Sequence, residues 1–441
     1  MSALGTRAPA AGPRRTGRRL TASVCRDERH FAALAAEWDD LFGRSSAATP
    51  FQTHAWLHSW WLSYGAPGRL RLVLVRDAAD GRLVAAAPLW RTRARVPTVE
   101  FLGGALTDYG DVLADDDRPE AVPALADALS RLARSTVLDL REVRPGAAAD
   151  RLLAFWTGPR TRLADSLCLE LPPVPVEELV GRLPSARAQR ARAKLRRIDR
   201  EGVEARPVPA DEVPRALCRL LDLHRRQWAG RGVTAEHLTE RFAAHLGRAV
   251  RAMAETGHAR VTEFLIGGEV VAADLTLLAP RLSGGYLYGA DPLLRSLKVD
   301  VAALLLRNGA RLAAEAGCGT LSLLRGDEPY KHHWRPSAAR NRRLLLAGRR
   351  TAPLLWLRAA HAAGRRWAAD RLRGRAWARR LRGWAGPEGR LRAGTGARGA
   401  GFEASTGAGP GKHGSGAGPG KHGAVPGTAP SRRTTRRRAG S

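Results

Sequence analysis

Residues 263–334 read EFLIGGEVVAADLTLLAPRLSGGYLYGADPLLRSLKVDVAALLLRNGARLAAEAGCGTLSLLRGDEPYKHHW. Gly267-Gly268 lies between two apolar, β-branched segments, the pattern of a hairpin turn. Pro280 marks a second turn, and Gly285-Tyr286-Leu287-Tyr288-Gly289 forms the next strand, which Asp291-Pro292 ends. Apolar residues at helical spacing predict a helix from about Lys298 to Ala316, stopped by Gly317. Thr320–Leu324 then forms a strand leading into a polar loop with Gly326, Asp327, Tyr330 and Lys331. Three strands, a helix, a strand and a polar loop make an α/β unit with a candidate ligand site where strand gives way to helix.

The chain is 441 residues long, enough for two or three domains, and its 44% hydrophobic content supports a sizeable core. Its net charge of +31 is unevenly placed. Residues 341–441 carry 23 basic and 3 acidic groups, and the first twenty residues add five arginines, which leaves +6 for Thr21–Arg340. The body is nearly balanced and the two ends are polycations, so the excess charge speaks of sticking to polyanions and not of a shaped basic site.

Cys25, Cys168, Cys218 and Cys318 are scattered, which suits small buried thiols in a reducing compartment. His332-His333 is adjacent, with no carboxylate or thiol pattern to complete a ligand set, and no metal is expected. Arg14-Arg15 precedes no apolar run, and no segment reaches the ~20 apolar residues of a spanning helix. The expected location is cytoplasmic.

Upstream of the opening stretch, Glu28–Phe42 has helical spacing, and Pro50-Phe51-Gln52-Thr53 introduces a second helix carrying Trp56, Trp60 and Tyr64. Strands are expected at 69–76, 82–91, 98–102, 136–142 and 166–171, with helices at 119–133 and 148–156. The loop Thr107–Asp111 follows Gly103-Gly104. Pro172-Pro173-Val174-Pro175 is the clearest interior punctuation. Beyond it come a basic helix at 185–201, a strand at 203–208, helices at 211–229 and 235–256, the opening stretch, and a last strand at 342–347. The second half repeats the element order of the first without visible sequence identity. The expected domains are a disordered basic tail (1–20), a first domain (21–171), a second (172–348), a basic Trp-containing amphipathic segment (349–386) and a disordered Gly/Ala/Arg-rich tail (387–441). Trp356, Trp367, Trp377 and Trp384 fall within a roughly 100° arc of a helix, interrupted by Asp370. The tail repeat GAGPGKHG, at 407–414 and 416–423, lacks the spacing and the Ser or Thr of a phosphate loop and reads as linker.

No G-x-S-x-G or nucleophilic cysteine setting is present, and no G-x-G-x-x-G opens a helix after a strand. The segment from Tyr288 to Lys298 is the better candidate, because a strand end and helix start offer free N–H groups beside Arg295, Ser296 and Lys298, where a pyrophosphate would bind. An ordinary helix start with solvated basic residues is the competing reading.

Pro50-Phe51-Gln52-Thr53-His54-Ala55-Trp56, the basic helix 187–197, Tyr286–Asp291, and Leu324-Arg325-Gly326-Asp327-Glu328-Pro329-Tyr330-Lys331 with Trp334 occur in this order. In these motifs the sequence resembles the CelD/BcsL-like (BioF2-like) acetyltransferases, a branch of the GNAT acyltransferases related to the Fem-type aminoacyl transferases. The resemblance covers most of residues 25–347. It implies an α/β chain of two tandem GNAT-like domains, the second binding acetyl-CoA or another acyl-CoA as co-substrate. Tyr288, Gly289 and Ala290 would line the pantetheine arm, and Arg295, Ser296, Lys298 and Val299 the phosphates. Relatives often open this helix with a Ser-Pro-Gly-like turn, whereas this chain has Ser296-Leu297-Lys298. In such transfer an amine attacks a thioester directly. Asp291, Asp327 and Glu263 would be the candidate bases, Tyr288 and Tyr330 the candidate acids, and Lys331 a stabiliser of developing negative charge. Tyr330, Trp334, Asp108 and Tyr109 would contact a small-molecule amine. For each residue a purely structural role competes: a turn cap for Asp291, a loop brace for Asp327, a core position for Tyr288.

The resemblance implies an N-acyltransferase acting on an amine of a sugar, envelope precursor or secondary metabolite. A Fem-like transferase using aminoacyl-tRNA, with the basic face Arg187, Arg190, Lys194 and Arg197 meeting the nucleic acid, is the first alternative. A non-catalytic GNAT-derived module tethered by its basic tail is the second. The Trp-striped segment after residue 350 suggests peripheral contact with an anionic membrane surface, at the inner face of the plasma membrane.

Overall fold

The structure is a computed structural model that describes residues 19–228 and 234–384. The expected tails at 1–20 and 387–441 lie, but for residues 19 and 20, outside them. In the first half, β1 (Leu20–Cys25) leads to α1 (Glu28–Ala33), α2 (Ala35–Gly43) and α3 (His54–Tyr64). Strands β2 (Leu70–Asp77), β3 (Leu83–Arg91), β4 (Thr98–Phe101) and β5 (Leu113–Ala114) follow, then α4 (Ala121–Leu132), β6 (Val137–Val143), α5 (Ala148–Phe155) and β7 (Arg160–Leu171). The second half runs α6 (Val176–Gly181), α7 (Ser185–Arg200), β8 (Glu204–Pro207), α8 (Val213–Trp228) and α9 (Glu240–Glu255). It continues with β9 (Ala259–Ile266), β10 (Glu269–Ala279), β11 (Leu282–Ala290), α10 (Leu293–Ser296), α11 (Val301–Glu315), β12 (Leu321–Arg325) and β13 (Ser337–Leu346), and α12 (Ala352–Trp384) comes last.

The described strands form one sheet in the order β1-β2-β3-β4-β6-β13-β7-β12-β11-β10-β9-β8, with β5 paired to β3. The order is its own mirror. β4 and β6 pair in parallel in the first half, as β11 and β12 do in the second, and every other pairing is antiparallel. The halves exchange their final strands: β13 lies between β6 and β7, and β7 between β13 and β12. One continuous sheet results, so neither half has an open inner edge.

Equivalent bulges break both exchanged pairings. Between β6 and β13 the extra residue brings Glu142 to φ 57°, and between β12 and β7 it brings Leu324 to φ 55°. A bulge bends its strand and increases the local twist, and a bulky residue held in the left-handed region costs free energy. Both bulges lie at the middle of the sheet.

Apolar packing fixes the halves together on one face. The cluster containing Trp38, Phe51 and Trp56 from the first half is continuous with Phe242, Leu246, Leu275 and Leu287 from the second. Trp56 is fully buried, with its ring centroid 5.1 Å from Tyr286 and 4.6 Å from His245. The segment Pro50–Trp56 is therefore an interface device. Gln52 Nε2 donates to Tyr109 O at 2.7 Å, Thr53 accepts from Trp56 N and caps α3, and α3 packs along α9.

On the other face, the first turns of α12 pack Leu355 against Val137, Leu345 and Ala347. Asp139, fully buried, accepts two 2.6 Å bonds from Arg343 and a 2.8 Å bond from Arg358. Arg343 belongs to β13 and Arg358 to α12, so one carboxylate ties three elements. Removing one partner of a buried pair leaves charge without compensation. Asp139→Ala is accordingly expected to destabilise the fold by about 3–5 kcal/mol, read as a lowered midpoint in urea denaturation.

Several boundaries differ from the sequence reading. Leu20–Cys25 is a strand that pairs β2 at the sheet edge, although its largely exposed residues carry no alternation. The helix expected at 28–42 breaks at Leu34 into α1 and α2. The helix expected from Lys298 begins at Val301, because Asp300 caps it by accepting from Ala303 N at 2.9 Å. Strand β7 starts at Arg160 and β13 at Ser337, both earlier than hydrophobicity indicates, because their extra length pairs the two to each other.

Candidate acyl-donor cleft

β11 and β12 pair through only two positions, Ser283↔Leu321 and Gly284↔Ser322, and then part. They are closest at Gly284, where an added Cβ would stand 2.8 Å from Leu324 Cδ2. Beyond this point Tyr286 is an extra residue in the β10–β11 register, a bulge that turns the strand away from β12. The far half of β11 thus presents a strand edge to a cleft, walled by the Arg325–Trp334 loop and by α8.

The edge is already dressed by α8. His224 Nδ1 lies 2.7 Å from Tyr288 O, and Ala290 N donates to Gln227 Oε1 at 3.0 Å. Gly289 permits this approach, since a Cβ there would meet His224 N at 2.4 Å. A carbonyl oxygen only accepts, so His224 carries its proton on Nδ1. Its Nε2 then accepts from His237 Nδ1, 3.3 Å away, which leaves the lone pair of His237 on Nε2. Burial lowers the pKa of both rings, and with the neighbouring His224 it brings that of His237 to about 4, so both are neutral at pH 7. His237 stacks on Phe242 and feels the charge of Asp108. Nothing in the sequence singled out this pair, which is thirteen residues apart and joined only by the fold.

The Glu328 charge acts on both Tyr288 and Tyr330. Desolvation of the phenol comes first in raising both pKa values, although Tyr330 as a residue is 45% exposed, so both stay protonated. Asp291 accepts from Leu293 N at 2.9 Å and opens α10, the turn-cap geometry. Asp327 is exposed and pairs His332 at 2.5 Å. Lys331 is buried, with Nζ 2.9 Å from Arg325 O and 2.8 Å from Glu328, and so braces the loop. Trp334 packs against α6 and α7 residues. Glu263 is fully buried beneath Arg206 and Arg219; burial alone would raise its pKa, but their hydrogen bonds bring it below the ordinary value.

At the strand-to-helix turn, the N–H groups of Leu297, Lys298 and Val299 all bond carbonyls within the turn, those of Leu293, Arg295 and Leu294. Val299 is core, and the Ser296 hydroxyl bonds Leu293 O at 2.7 Å. Lys298 takes φ 57°, the left-handed conformation for which glycine is the usual residue. Asp300 places a carboxylate on the α11 N-terminus and pairs Lys194 at 2.6 Å, while Arg197 Nε donates to Leu297 O at 2.9 Å. The 297–299 amides are thus all engaged, and the cationic groups at this turn are the exposed side chains of Arg295 and Lys298, with Lys194 and Arg197 behind them. Arg187 and Arg190, from the same helix face, are exposed.

The floor of the cleft is an inter-half ion cluster. Arg325 Nε donates to Asp108 Oδ1 at 2.5 Å, Nη1 to Glu142 at 3.4 Å and Nη2 to Ala105 O at 2.5 Å. Asn341 donates to Glu142 and to Asp108 O, and Tyr109, fully buried, bonds Ser322 at 2.8 Å. Asp108 and Tyr109 thus join the halves at the cleft floor. The first half differs in its connection: after β4 the chain runs through this loop and β5 before α4 begins at Ala121, where the second half passes from β11 almost directly into α10.

The parallel pair that parts, the bulged strand and the crossover helix make this a GNAT-type acyltransferase fold, present in tandem. Residues 185–332 match the family model described as an acetyltransferase (GNAT) domain. Among solved structures the fold is similar to that of FemX, at 12% identity over 73% of this chain and 98% of that one, with a TM-score of 0.51. Further similarity is found to the C-terminal domain of a putative lysylphosphatidylglycerol synthetase from Agrobacterium fabrum (12% identity, 75% of this chain and 96% of that one, TM-score 0.47). A tandem GNAT protein from the clavulanic acid biosynthesis pathway gives 15% identity, 75% and 99% coverage, and a TM-score of 0.36. No curated protein matches the sequence. Among the described residues, no cluster of three or more His, Cys, Asp or Glu could hold a metal ion, and no helix is long and apolar enough to cross a membrane.

Arg325→Met would leave Asp108 and Glu142 without their shared cation, at an expected loss of about 3–5 kcal/mol at neutral pH. Burial, with Asp165 adding to it, holds the Glu142 carboxyl above the usual range, and loss of Arg325 raises it further. The variant's Glu142 therefore takes up a proton on acidification, and the deficit should shrink from pH 8 to pH 5. Paired urea titrations of wild type and variant at the two pH values check both magnitude and sign.

Proposed function

We propose that this chain is an N-acyltransferase that moves an acyl group from an acyl-CoA to the amine of a small molecule, of the kind found in sugars, envelope precursors or secondary metabolites. The observation that carries this reading is the parting of β11 from β12 beside the Tyr286 bulge, where a linear amide-bearing donor would enter next to an edge whose Tyr288 O and Ala290 N are bonded by His224 and Gln227. We keep the CelD/BcsL-like branch as the nearest description and place the protein in the cytoplasm, in keeping with its four free cysteines.

In this reading the pantetheine arm lies along Tyr286–Ala290, and Arg295 and Lys298 meet the phosphates by charge. The amine nitrogen attacks the thioester carbon and its proton passes to His237 Nε2. The C–S bond breaks and the sulfur takes a proton from Tyr288 or Tyr330, whose phenols burial keeps protonated. His224, held by Tyr288 O, fixes the tautomer that puts the His237 lone pair on Nε2. Asp108 bears electrostatically on the imidazolium that forms.

A second reading has one observation in its favour. Amides spent inside the 293–299 turn and a carboxylate on the α11 N-terminus suit a donor without a pyrophosphate at that spot, such as an aminoacyl ester of tRNA. Thermal shift against acetyl-CoA, longer acyl-CoAs and free CoA separates the two. A rise in midpoint with acyl-CoA supports the first. No shift, together with salt-sensitive tRNA binding by the folded chain, replaces it with the second. With a donor in hand, CoA-thiol release against a panel of amines should fall on the order of 10²–10⁴-fold in His237→Gln at pH 7, with the acyl-CoA thermal shift retained. Unchanged turnover would remove His237 as the base.

A further inference from the structure

Helix α12 presents an apolar stripe to solvent. Trp356, Ala360, Ala363 and Trp367 recur at helical spacing on one side and are all exposed, Trp356 at 56% and Trp367 at 63%, and Leu357 beside them is 58% exposed. The opposite side is spoken for. Leu355 and Ala362 are buried, and Arg358 bonds Glu100 at 2.7 Å and Asp139 at 2.8 Å. The stripe is therefore held in place by a buried ion cluster.

Its surroundings are cationic. Between Arg349 and Arg371 the sequence has six arginines and a single acid, Asp370. Arg349, Arg350, Arg365 and Arg371 are exposed, and the Arg371 guanidinium lies over the Trp367 ring at 5.1 Å. Tryptophans on a helix rimmed by arginines match a surface that is apolar inside and anionic at its edge. A nucleic acid would satisfy the arginines and leave the Trp stripe wet, whereas a second copy of this helix would bury the stripe and set arginine against arginine.

We propose that the solvent face of α12 docks the protein on an anionic lipid surface, with Trp356 and Trp367 in the headgroup–acyl boundary and the flanking arginines on lipid phosphates. This is independent of the acyl-transfer reading, since the stripe shares no residue with the donor cleft.

The test uses the full-length chain and sucrose-loaded vesicles of phosphatidylcholine alone or mixed equally with phosphatidylglycerol. The protein should co-sediment with the mixed vesicles and stay in solution with the neutral ones. Trp356→Ser with Trp367→Ser should reduce partition on the order of tenfold with an unchanged circular-dichroism melt, because both side chains are exposed. The basic terminus is present in wild type and variant alike, so their difference reports the helix. Four outcomes overturn the proposal: no co-sedimentation, equal binding to neutral vesicles, equal binding by the double variant, or a wild-type dimer in sedimentation velocity that the double variant abolishes.

Discussion

Arg325 sits where the two halves have the most to lose. It ends β12, the strand whose parting from β11 opens the cleft, and both of its carboxylate partners, Asp108 and Glu142, come from the other half. A guanidinium largely removed from water needs its partners in place, and those partners need it equally. The cluster therefore couples the position of the Arg325–Trp334 loop to the exact pairing of β6, β13 and β7. Lys331 continues the coupling outward, because its ammonium holds Arg325 O and Glu328 together. The Glu328 charge in turn acts on both Tyr288 and Tyr330.

The strand exchange explains why that coupling can be rigid. Were β7 and β13 to stay with their own halves, each half would end in an open edge and the interface would lose its backbone ladder. Exchange makes the interface a continuous ladder, and the bulges at Glu142 and Leu324 bend it at equivalent points. The two halves then diverge in use. The second keeps a short link from strand to helix and an open cleft. The first spends the same stretch, Thr107–Asp111, on contacts to Arg325, Ser322 and the α5 N-terminus, where buried Asp111 accepts from Ala148 and Ala149. One copy of the fold keeps the site and the other supports it.

What the sequence disclosed follows the range of the forces involved. The hairpin at Gly267-Gly268, the strand through Tyr286–Tyr288 and the α/β order of the second half were legible because turn residues and apolar spacing are local. The PFQTHAW segment and the RGDEPYK loop stood out as motifs, yet several of their residues serve the framework: Trp56 and Arg325 reach across halves, Gln52 ties its turn to Tyr109 O, and Lys331 braces its own loop. Strand exchange has no local mark, since β7 and β13 owe their extra length to each other. β1 was missed for the opposite reason: an exposed edge strand buries too little to enforce alternation. His237 was illegible because its tautomer depends on a proton fixed by Tyr288 O fifty-one residues on, through His224.

Lys298 shows how a departure from a pattern is absorbed. A glycine there would reach the left-handed region freely. The lysine takes the same φ at a cost in strain, and the turn spends its amides on its own carbonyls. Asp300 then caps α11, and Lys194 neutralises it from α7. In the acyl-CoA reading proposed above, anion affinity at this turn would rest on side-chain charges, which act over a longer range and with less geometric demand than backbone dipoles. Selectivity for such a donor would then rest on the strand edge, where Tyr286 bulges from the β10 register and Gly289 lets α8 approach.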